Sequence, residues 1–391
     1  MLRAKLGEVQ AYLRESKLDG WLLFDFRGMN PFVKRVLNLE GKGLLTRRWF
    51  VWVPAQGEPS VTVHAIEHGS FPETGFATSS YSTRGDLKEK LRETLGNASR
   101  IAMEYSPQNN NPYISKVDAG TIELVRGLGV EVFSSGDILQ LFLAWTDAQL
   151  ENHRKASQAL TETKDAALGL IRERASAQKP LTEYELQSFM CLQMQQRGMI
   201  YDHAPIVCFG RTSNDPHYSP SQTHSNPLAP GAILMDLFCQ TSKNDPFADI
   251  TWMAHLGTPS AEFLRAFDCV TASRDVGVNF LRARLEAGSD VQGFEVDQVV
   301  RQVLIDAGYE KYLLHRTGHS LGWTAVHGDV AHFDGIETLD ERRVLPRLGF
   351  TIEPGVYLPE FGVRSEINVY STDRSLEITT ALQTELDVIL L

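Results

Sequence analysis

The chain has 391 residues, 42% hydrophobic and 22% charged, a composition that excludes a disordered tail, a fibrous repeat and a multispan membrane protein. Its 49 acidic and 38 basic residues give a net charge of -11, which argues against a nucleic-acid binder, whose affinity comes from neutralising phosphates. Four cysteines (Cys191, Cys208, Cys239, Cys269) lie far apart with no C-x-x-C, so reduced thiols are expected rather than a zinc ribbon or a disulfide scaffold.

Leu2, Leu6, Val9 and Leu13 recur on one helical face with charges between them. The start therefore reads as a helix over 2–17 and not as a secretory leader. No run of 18 apolar residues occurs, so no membrane span is expected and the protein is placed in the cytoplasm. An apolar run, Gly20–Phe26, follows, then a glycine-bearing stretch with Gly41, Gly43 and the pair Arg47–Arg48. Strands are expected at Trp49–Val53, Ser60–His64, Arg100–Glu104 and Val130–Phe133, with a helix over 86–95. Strands alternating with helices make this an α/β layer. A domain boundary is placed near Trp145, giving domains of 1–145 and 146–391.

The second part opens with a helix over 148–174. A second helix begins at Thr182, where Glu185 three residues on completes a capping box. After Met199 short apolar runs alternate with turn clusters at Thr212–Asp215, Asn226–Gly231 and Ser242–Pro246. One further helix is read over 293–307, with Val296, Val299, Val300, Val303 and Leu304 as its buried face. This part reads as helices on a mainly antiparallel sheet, an α+β architecture.

The informative residues are acids inside apolar strands. Asp236 interrupts Ile233, Leu234, Met235, Leu237 and Phe238, and the chain returns through Ala248-Asp249-Ile250-Thr251-Trp252. Read as a hairpin, the two runs bring Asp236 and Asp249 together. Glu353 ends the apolar run Phe350-Thr351-Ile352, and Arg364 and Glu366 share a strand face by the period of two. A buried, unpaired carboxylate costs several kcal/mol or takes up a proton. Four of them in one place repel unless cations hold them, and His319, between Gly318 and Gly322, offers a neutral nitrogen. Two divalent ions balance the four charges, leaving a bridging hydroxide as the net charge. Hard oxygens with one nitrogen suit Mn²⁺, with Co²⁺ or Zn²⁺ as alternatives. Two metals about 3.5–4 Å apart activate water and stabilise a tetrahedral oxyanion.

Asp236, Asp249, His319, Glu353 and Glu366, in ILMDLF, ADIT, TGHSLG, TIEPGVY and GVRSEI, resemble the metal ligands of the pita-bread metallopeptidases. The branch most like this chain is that of the Xaa-Pro dipeptidases (prolidases) and aminopeptidases P. The resemblance covers most of the chain, because LDGWLLF and the strands after it look like that branch's creatinase-type N-terminal domain. It implies an α+β pita-bread catalytic domain preceded by a smaller α/β domain. It further implies two bound divalent ions, a homodimer, and dipeptides or short peptides containing proline as substrates. In its terms Asp236 chelates one metal, Asp249 and Glu366 bridge both, and His319 and Glu353 bind the second. Glu353 also accepts the proton of the bridging water. His217, in NDPHYSP, matches a substrate-contacting histidine, and His327, in AVHG, one that stabilises the tetrahedral intermediate. His315 would line the same pocket, and Arg364 would organise charge.

The chain departs from the family pattern in three places. Asp236 and Asp249 are 13 apart, two more than the usual spacing, which makes Asp245 a rival ligand. His319 to His327 is one residue longer than usual. Where some members carry a tyrosine, this chain has His203, with Tyr201 nearby. An arginine is the natural reader of a dipeptide's free carboxylate, and Arg47 or Arg48 is the candidate. Aminopeptidase P activity on longer X-Pro peptides is the alternative. Two readings lie outside the branch. Gly318-His319-Ser320-Leu321-Gly322 fits the G-x-S-x-G elbow of serine esterases, and a chain of this fold without its ligands would be a binding module.

Overall fold

The computed structural model describes residues 1–39, 41 and 45–390. Gly43, part of the glycine-bearing stretch singled out above, lies outside the described residues. The chain divides into two compact units, Met1–Leu143 and Ala144–Leu391.

The first unit runs α1 (Leu2–Glu15), β1 (Gly20–Asp25), α2 (Pro31–Leu37), β2 (Trp49–Pro54), β3 (Ser60–His64), α3 (Ala65–His68), β4 (Ala77–Tyr81), α4 (Arg84–Leu95), β5 (Arg100–Met103), α5 (Ala119–Arg126), β6 (Glu131–Ser134) and α6 (Gly136–Gln140). Its strands form one sheet in the order β4-β3-β2-β1-β5-β6, in which only β2 runs against its neighbours. Leu2, Val9 and Leu13 of α1 pack on one face with Trp21, Leu23 and Val51. Leu87 and Leu91 of α4 and Ile122 and Val125 of α5 pack on the other, with Leu22, Phe24 and Phe50. Helices cover both faces, so all six residues of β1 are buried, and the strand reads as an unbroken apolar run. Helix α1 stops two residues short of the expected end because Lys17 takes a left-handed conformation (φ 54°).

One buried acid of this unit titrates near neutrality. Glu104, just past β5, is fully buried and accepts hydrogen bonds from Trp21 Nε1 (2.6 Å), Asn30 Nδ2 (2.7 Å) and Ser135 Oγ (3.0 Å). Burial outweighs these donors and raises its pKa from 4.5 to about 7. The folded state thus holds the proton more tightly than the unfolded state. The stability this contributes is complete below about pH 4.5 and is lost as pH rises through about 7. Between pH 5 and 8 wild type should lose on the order of 3 kcal/mol at most through this group. Glu104→Gln should flatten that part of the slope in urea unfolding; parallel slopes for the two proteins would show that the carboxyl does not titrate there.

The second unit runs α7 (Asp147–Ser176), α8 (Glu183–Gln196), β7 (Ile206–Phe209), β8 (Gly231–Cys239), β9 (Ala248–Leu256), α9 (Ala261–Glu286), α10 (Gly293–Asp306), β10 (Leu348–Ile352), β11 (Gly355–Tyr357), β12 (Gly362–Arg364), β13 (Ile367–Ser371), β14 (Leu376–Ile378) and β15 (Asp387–Ile389). The sheets are β15-β9-β8-β7, β10-β13-β14 and the β11-β12 hairpin. Ala156, Leu160 and Ile171 of α7 and Leu186 and Met190 of α8 cover one face of β7–β9, against Ile233, Met235 and Ile250. Phe263, Phe267 and Val270 of α9 lie on the other side with Leu234 and Met253. Thr182 and Glu185 form the expected capping box. No helix among the described residues is long and apolar enough to cross a membrane.

Helix α9, at 26 residues the second longest helix described, is not among the helices the sequence pattern predicts. Its buried face mixes Phe263, Phe267 and Leu281 with Ser273, Arg274 and Gly277, so the apolar repeat breaks mid-helix. Arg274 is buried because its guanidinium bonds Ser365 Oγ (2.7 Å) and the Gln383 carbonyl (2.8 Å).

Candidate metal centre

The β8–β9 hairpin sets Asp236 opposite Thr251 and Phe238 opposite Asp249. The two aspartates therefore lie diagonally on one face of the sheet, two positions apart. Asn368 fixes the backbone of Asp249 from β13, accepting from its N–H (2.8 Å) and donating to its carbonyl (2.7 Å). Segment 317–321 runs beside β10 through Thr351 N–H to the His319 carbonyl (2.7 Å) and Glu353 N–H to the Thr317 carbonyl (2.7 Å). Gly318 allows this approach, since a Cβ there would stand 2.2 Å from the Thr351 carbonyl oxygen. His319 is thus aimed at the acids from one side and Glu353 from the end of β10. Glu366, between β12 and β13, completes the group.

The five expected ligands come together. His319 Nε2 lies 3.6 Å from Asp249 Oδ2 and 3.6 Å from Glu353 Oε1. Ligand atoms of Asp249, His319 and Glu366 lie within 4.8 Å of one another, and all three residues are buried. The His319 Nδ1–H donates to the Ser320 carbonyl (2.9 Å). That fixes the tautomer and leaves the Nε2 lone pair facing the carboxylates, as a metal-binding imidazole requires. Burial, reinforced by Glu366, Asp236 and Glu353, holds the Asp249 pKa well above the carboxylate range. Burial and the neighbouring acids do the same to Glu366, and burial raises Asp236. Two buried oxygens, Asp249 Oδ1 and Glu366 Oε1, have no hydrogen-bond partner among the described residues. An orphaned buried acceptor costs about 1–3 kcal/mol, more when charged. Crowded acids, a bare imidazole nitrogen and partnerless oxygens fit divalent cations with hard-oxygen preference.

Arg364 sits inside this group, 5% exposed at its side chain. Its Nη2 pairs with Asp236 Oδ2, its Nε donates to Thr251 Oγ1 (2.9 Å) and its Nη1 to Tyr357 Oη (3.3 Å). Thr251 in turn donates its hydroxyl hydrogen bond to Glu366 Oε2 (2.8 Å). His315 donates from Nδ1 to the Arg316 carbonyl (2.7 Å), so its Nε2 accepts from Tyr357 Oη (2.7 Å). A directed chain therefore runs from Arg364 through Tyr357 to His315. Thr251 and Tyr357 lie within the ADIT and TIEPGVY motifs, where nothing in the sequence alone assigns them a role. The signal for Thr251 was its position two residues after Asp249, on the same strand face.

The His327 ring lies 4.0 Å from that of His319 and its Nδ1 accepts from Arg316 Nη2 (3.2 Å). The residue is exposed, yet desolvation of its ring, then the Arg316 charge, lowers its pKa. His217 is exposed and lies close enough to both Asp236 and His327 to interact with them electrostatically. Tyr201 accepts from Gln195 Nε2 (2.7 Å), and exposed His203 pairs with Asp202. Asp245, the rival ligand, spends its carboxylate on Thr241 Oγ1 (2.7 Å) and Ser242 Oγ (2.7 Å) of its own turn and on Asn152 Nδ2 (3.0 Å) of α7. Arg47 and Arg48 belong to the first unit. There they line a cavity of about 800 Å³ with Arg84, His64 and Tyr81.

The esterase reading fails on geometry. Ser320 is fully buried and its Oγ donates to the Val330 carbonyl (3.2 Å). Residues 323–347 contain no helix, so the strand–turn–helix that would expose a nucleophile does not exist.

Residues 151–373, which include all five clustered side chains, match the model of metallopeptidase family M24. The chain belongs to that family. An Xaa-Pro dipeptidase of Lactobacillus delbrueckii subsp. lactis is 25% identical over 231 residues, 59% of this chain and 57% of that one. Among solved structures, dipeptidase PepE from Mycobacterium ulcerans superposes with a TM-score of 0.68 at 22% identity. That match covers 100% of this chain and 98% of that one. The X-prolyl aminopeptidase of Caenorhabditis elegans, described as cytosolic with a di-nuclear active site, gives a TM-score of 0.60 at 18% identity, covering 97% and 62%. At these identities the structures establish the fold, which is the M24 pita-bread fold preceded by an N-terminal domain. M24 membership makes the chain a hydrolase of the peptidase class, with divalent metals at its centre.

Proposed function

We propose that this M24 peptidase hydrolyses the Xaa-Pro bond of dipeptides with a pair of divalent ions, Mn²⁺ by preference over Co²⁺ or Zn²⁺. The observation that carries the reading is the buried Asp249–His319–Glu366 group, with an imidazole nitrogen and two carboxylate oxygens left open to a cation. Asp236, Asp249, His319, Glu353 and Glu366 would hold the ions. When bound, they supply an acidified water and offset negative charge as it develops. The rest falls to the chain. Glu353, steadied by Thr351 Oγ1 (3.2 Å) and 14% exposed at its side chain, accepts the water's proton. His327 accepts from Arg316 at Nδ1, which leaves its Nε2–H free to donate to the oxygen of the tetrahedral intermediate. His217, on the open side beside Asp236, contacts the substrate. His315 and Tyr357 form a pocket wall that Arg364 orients. The dipeptidase name of the Lactobacillus relative supports the X-Pro assignment. A homodimer in the cytoplasm accompanies it.

Dipeptide preference requires a reader for the proline carboxylate, which we assign to Arg47 or Arg48. Each is changed to Ala, and KM is measured for an X-Pro dipeptide and an X-Pro-Y tripeptide with Mn²⁺ present. One variant should weaken dipeptide binding by about 1.5–3 kcal/mol, the scale of a charged hydrogen bond, while leaving the tripeptide untouched. An unchanged ratio in both variants moves the reader elsewhere. Wild type that prefers the tripeptide makes the enzyme an aminopeptidase P.

A further inference from the structure

Glu183 opens α8 and is fully buried. Among the described residues it has no lysine or arginine partner. Instead its two oxygens take four donors. Oε1 accepts from Phe209 N–H (2.7 Å) and Thr212 Oγ1 (2.5 Å), and Oε2 from Tyr218 Oη (2.6 Å) and Asn226 N–H (2.7 Å). Only a carboxylate has acceptor capacity for all four, since an amide turns its NH₂ toward two donors. The first turn of α8 further favours negative charge there. The helix-cap pattern that marks α8 gives no hint of this use.

The four donors come from the start, middle and end of segment 209–226, and Tyr218 is the immediate neighbour of His217. The segment is also held from its far side. Gly362 N–H donates to Ser213 Oγ (2.9 Å) and Asn214 Nδ2 to the Pro359 carbonyl (2.9 Å). A Cβ on Gly362 would stand 1.9 Å from the Ser213 carbonyl oxygen, so only glycine permits that contact. Gly362 opens β12, the strand that ends in Arg364. The loop bearing His217 is thus clamped between the start of α8 and the strand that carries the cluster's guanidinium. We propose that Glu183 is a positioning residue for the peptidase reaction: its carboxylate ties segment 209–226 and fixes His217 beside Asp236.

This rests on the reading of His217 as a substrate contact, and the experiment separates the two claims. With the metal-loaded full chain and an X-Pro dipeptide, Glu183→Gln and His217→Ala should each lower kcat/KM about 10- to 100-fold, the scale of a catalytic group displaced by an ångström. The double variant should fall no further than the worse single one, because Glu183 acts through His217. Losses that multiply overturn the proposal. Hydrogen exchange of the same proteins needs no substrate. In Glu183→Gln, segment 209–226 should exchange at least about tenfold faster while β8 and β9 keep their protection. Unchanged exchange there overturns the proposal even if no X-Pro peptide is cleaved. Should Glu183→Gln fail to fold, Tyr218→Phe removes one of the four donors. Its loss of about 3- to 10-fold should vanish in the His217→Ala background, and persistence of the loss overturns the proposal.

Discussion

Replacing Asp249 by asparagine should lower peptide hydrolysis by at least ~10³-fold if, as proposed, this side chain holds the metals that supply the nucleophile. Oδ2 of Asp249 faces His319 Nε2 at 3.6 Å and Oδ1 has no hydrogen-bond partner among the described residues. Asparagine is nearly isosteric but presents one neutral oxygen where a carboxylate offers two charged ones. The backbone of β9 stays fixed by Asn368, so the variant should fold. The rate loss should come with lost metal, measured as ions retained after dialysis. Ser320→Ala is the control. Its hydroxyl is buried against the Val330 carbonyl, and its removal should leave the rate within about twofold, as for a residue without a transition-state role. A dead serine variant beside an active Asp249→Asn enzyme would reverse the assignment.

The second large effect falls on stability. Arg364→Leu should destabilise the metal-free protein by about 3–5 kcal/mol, the scale of removing one partner from a buried ion pair. The loss has three parts. Asp236 is left without its cation, Thr251 loses the donor that orients it toward Glu366, and Tyr357 loses the bond that fixes it against His315. Arg364→Lys should restore only part of the loss, since one ammonium cannot reproduce a planar fork that reaches three partners. Urea unfolding in the presence of a chelator reads both variants. Equal midpoints for wild type and Arg364→Leu would mean that the guanidinium organises nothing.

The metal cluster was legible because its chemistry conflicts with its surroundings. Asp236 and Asp249 sit in runs that would otherwise be plain buried strands, and β8 and β9 bring them onto one face as the hairpin reading requires. What supports the cluster was not legible, because the supporting residues look ordinary. Thr251 and Asn368 suit strand and turn alike, and Tyr357 reads as one more core aromatic. Their roles appear only when strands far apart in sequence meet. Helix α9 was hidden for a related reason: Arg274 on its buried face is satisfied by Ser365 and the Gln383 carbonyl, contacts that lie about 90 and 110 positions away. A periodicity argument counts apolar residues and cannot see a buried arginine with partners. Glu183 carried a readable signal, its place after the N-cap Thr182, but the signal concerned the helix and not the loop it clamps.

The most direct measurement is a Mn²⁺ titration of the chelator-stripped chain, with bound metal and X-Pro dipeptide hydrolysis followed in the same samples. The assignment of Asp236, Asp249, His319, Glu353 and Glu366 as ligands predicts saturation at about two ions per chain, with hydrolysis rising as the sites fill and abolished by EDTA. Full hydrolysis by the stripped chain, or hydrolysis that ignores the bound ions, would contradict it.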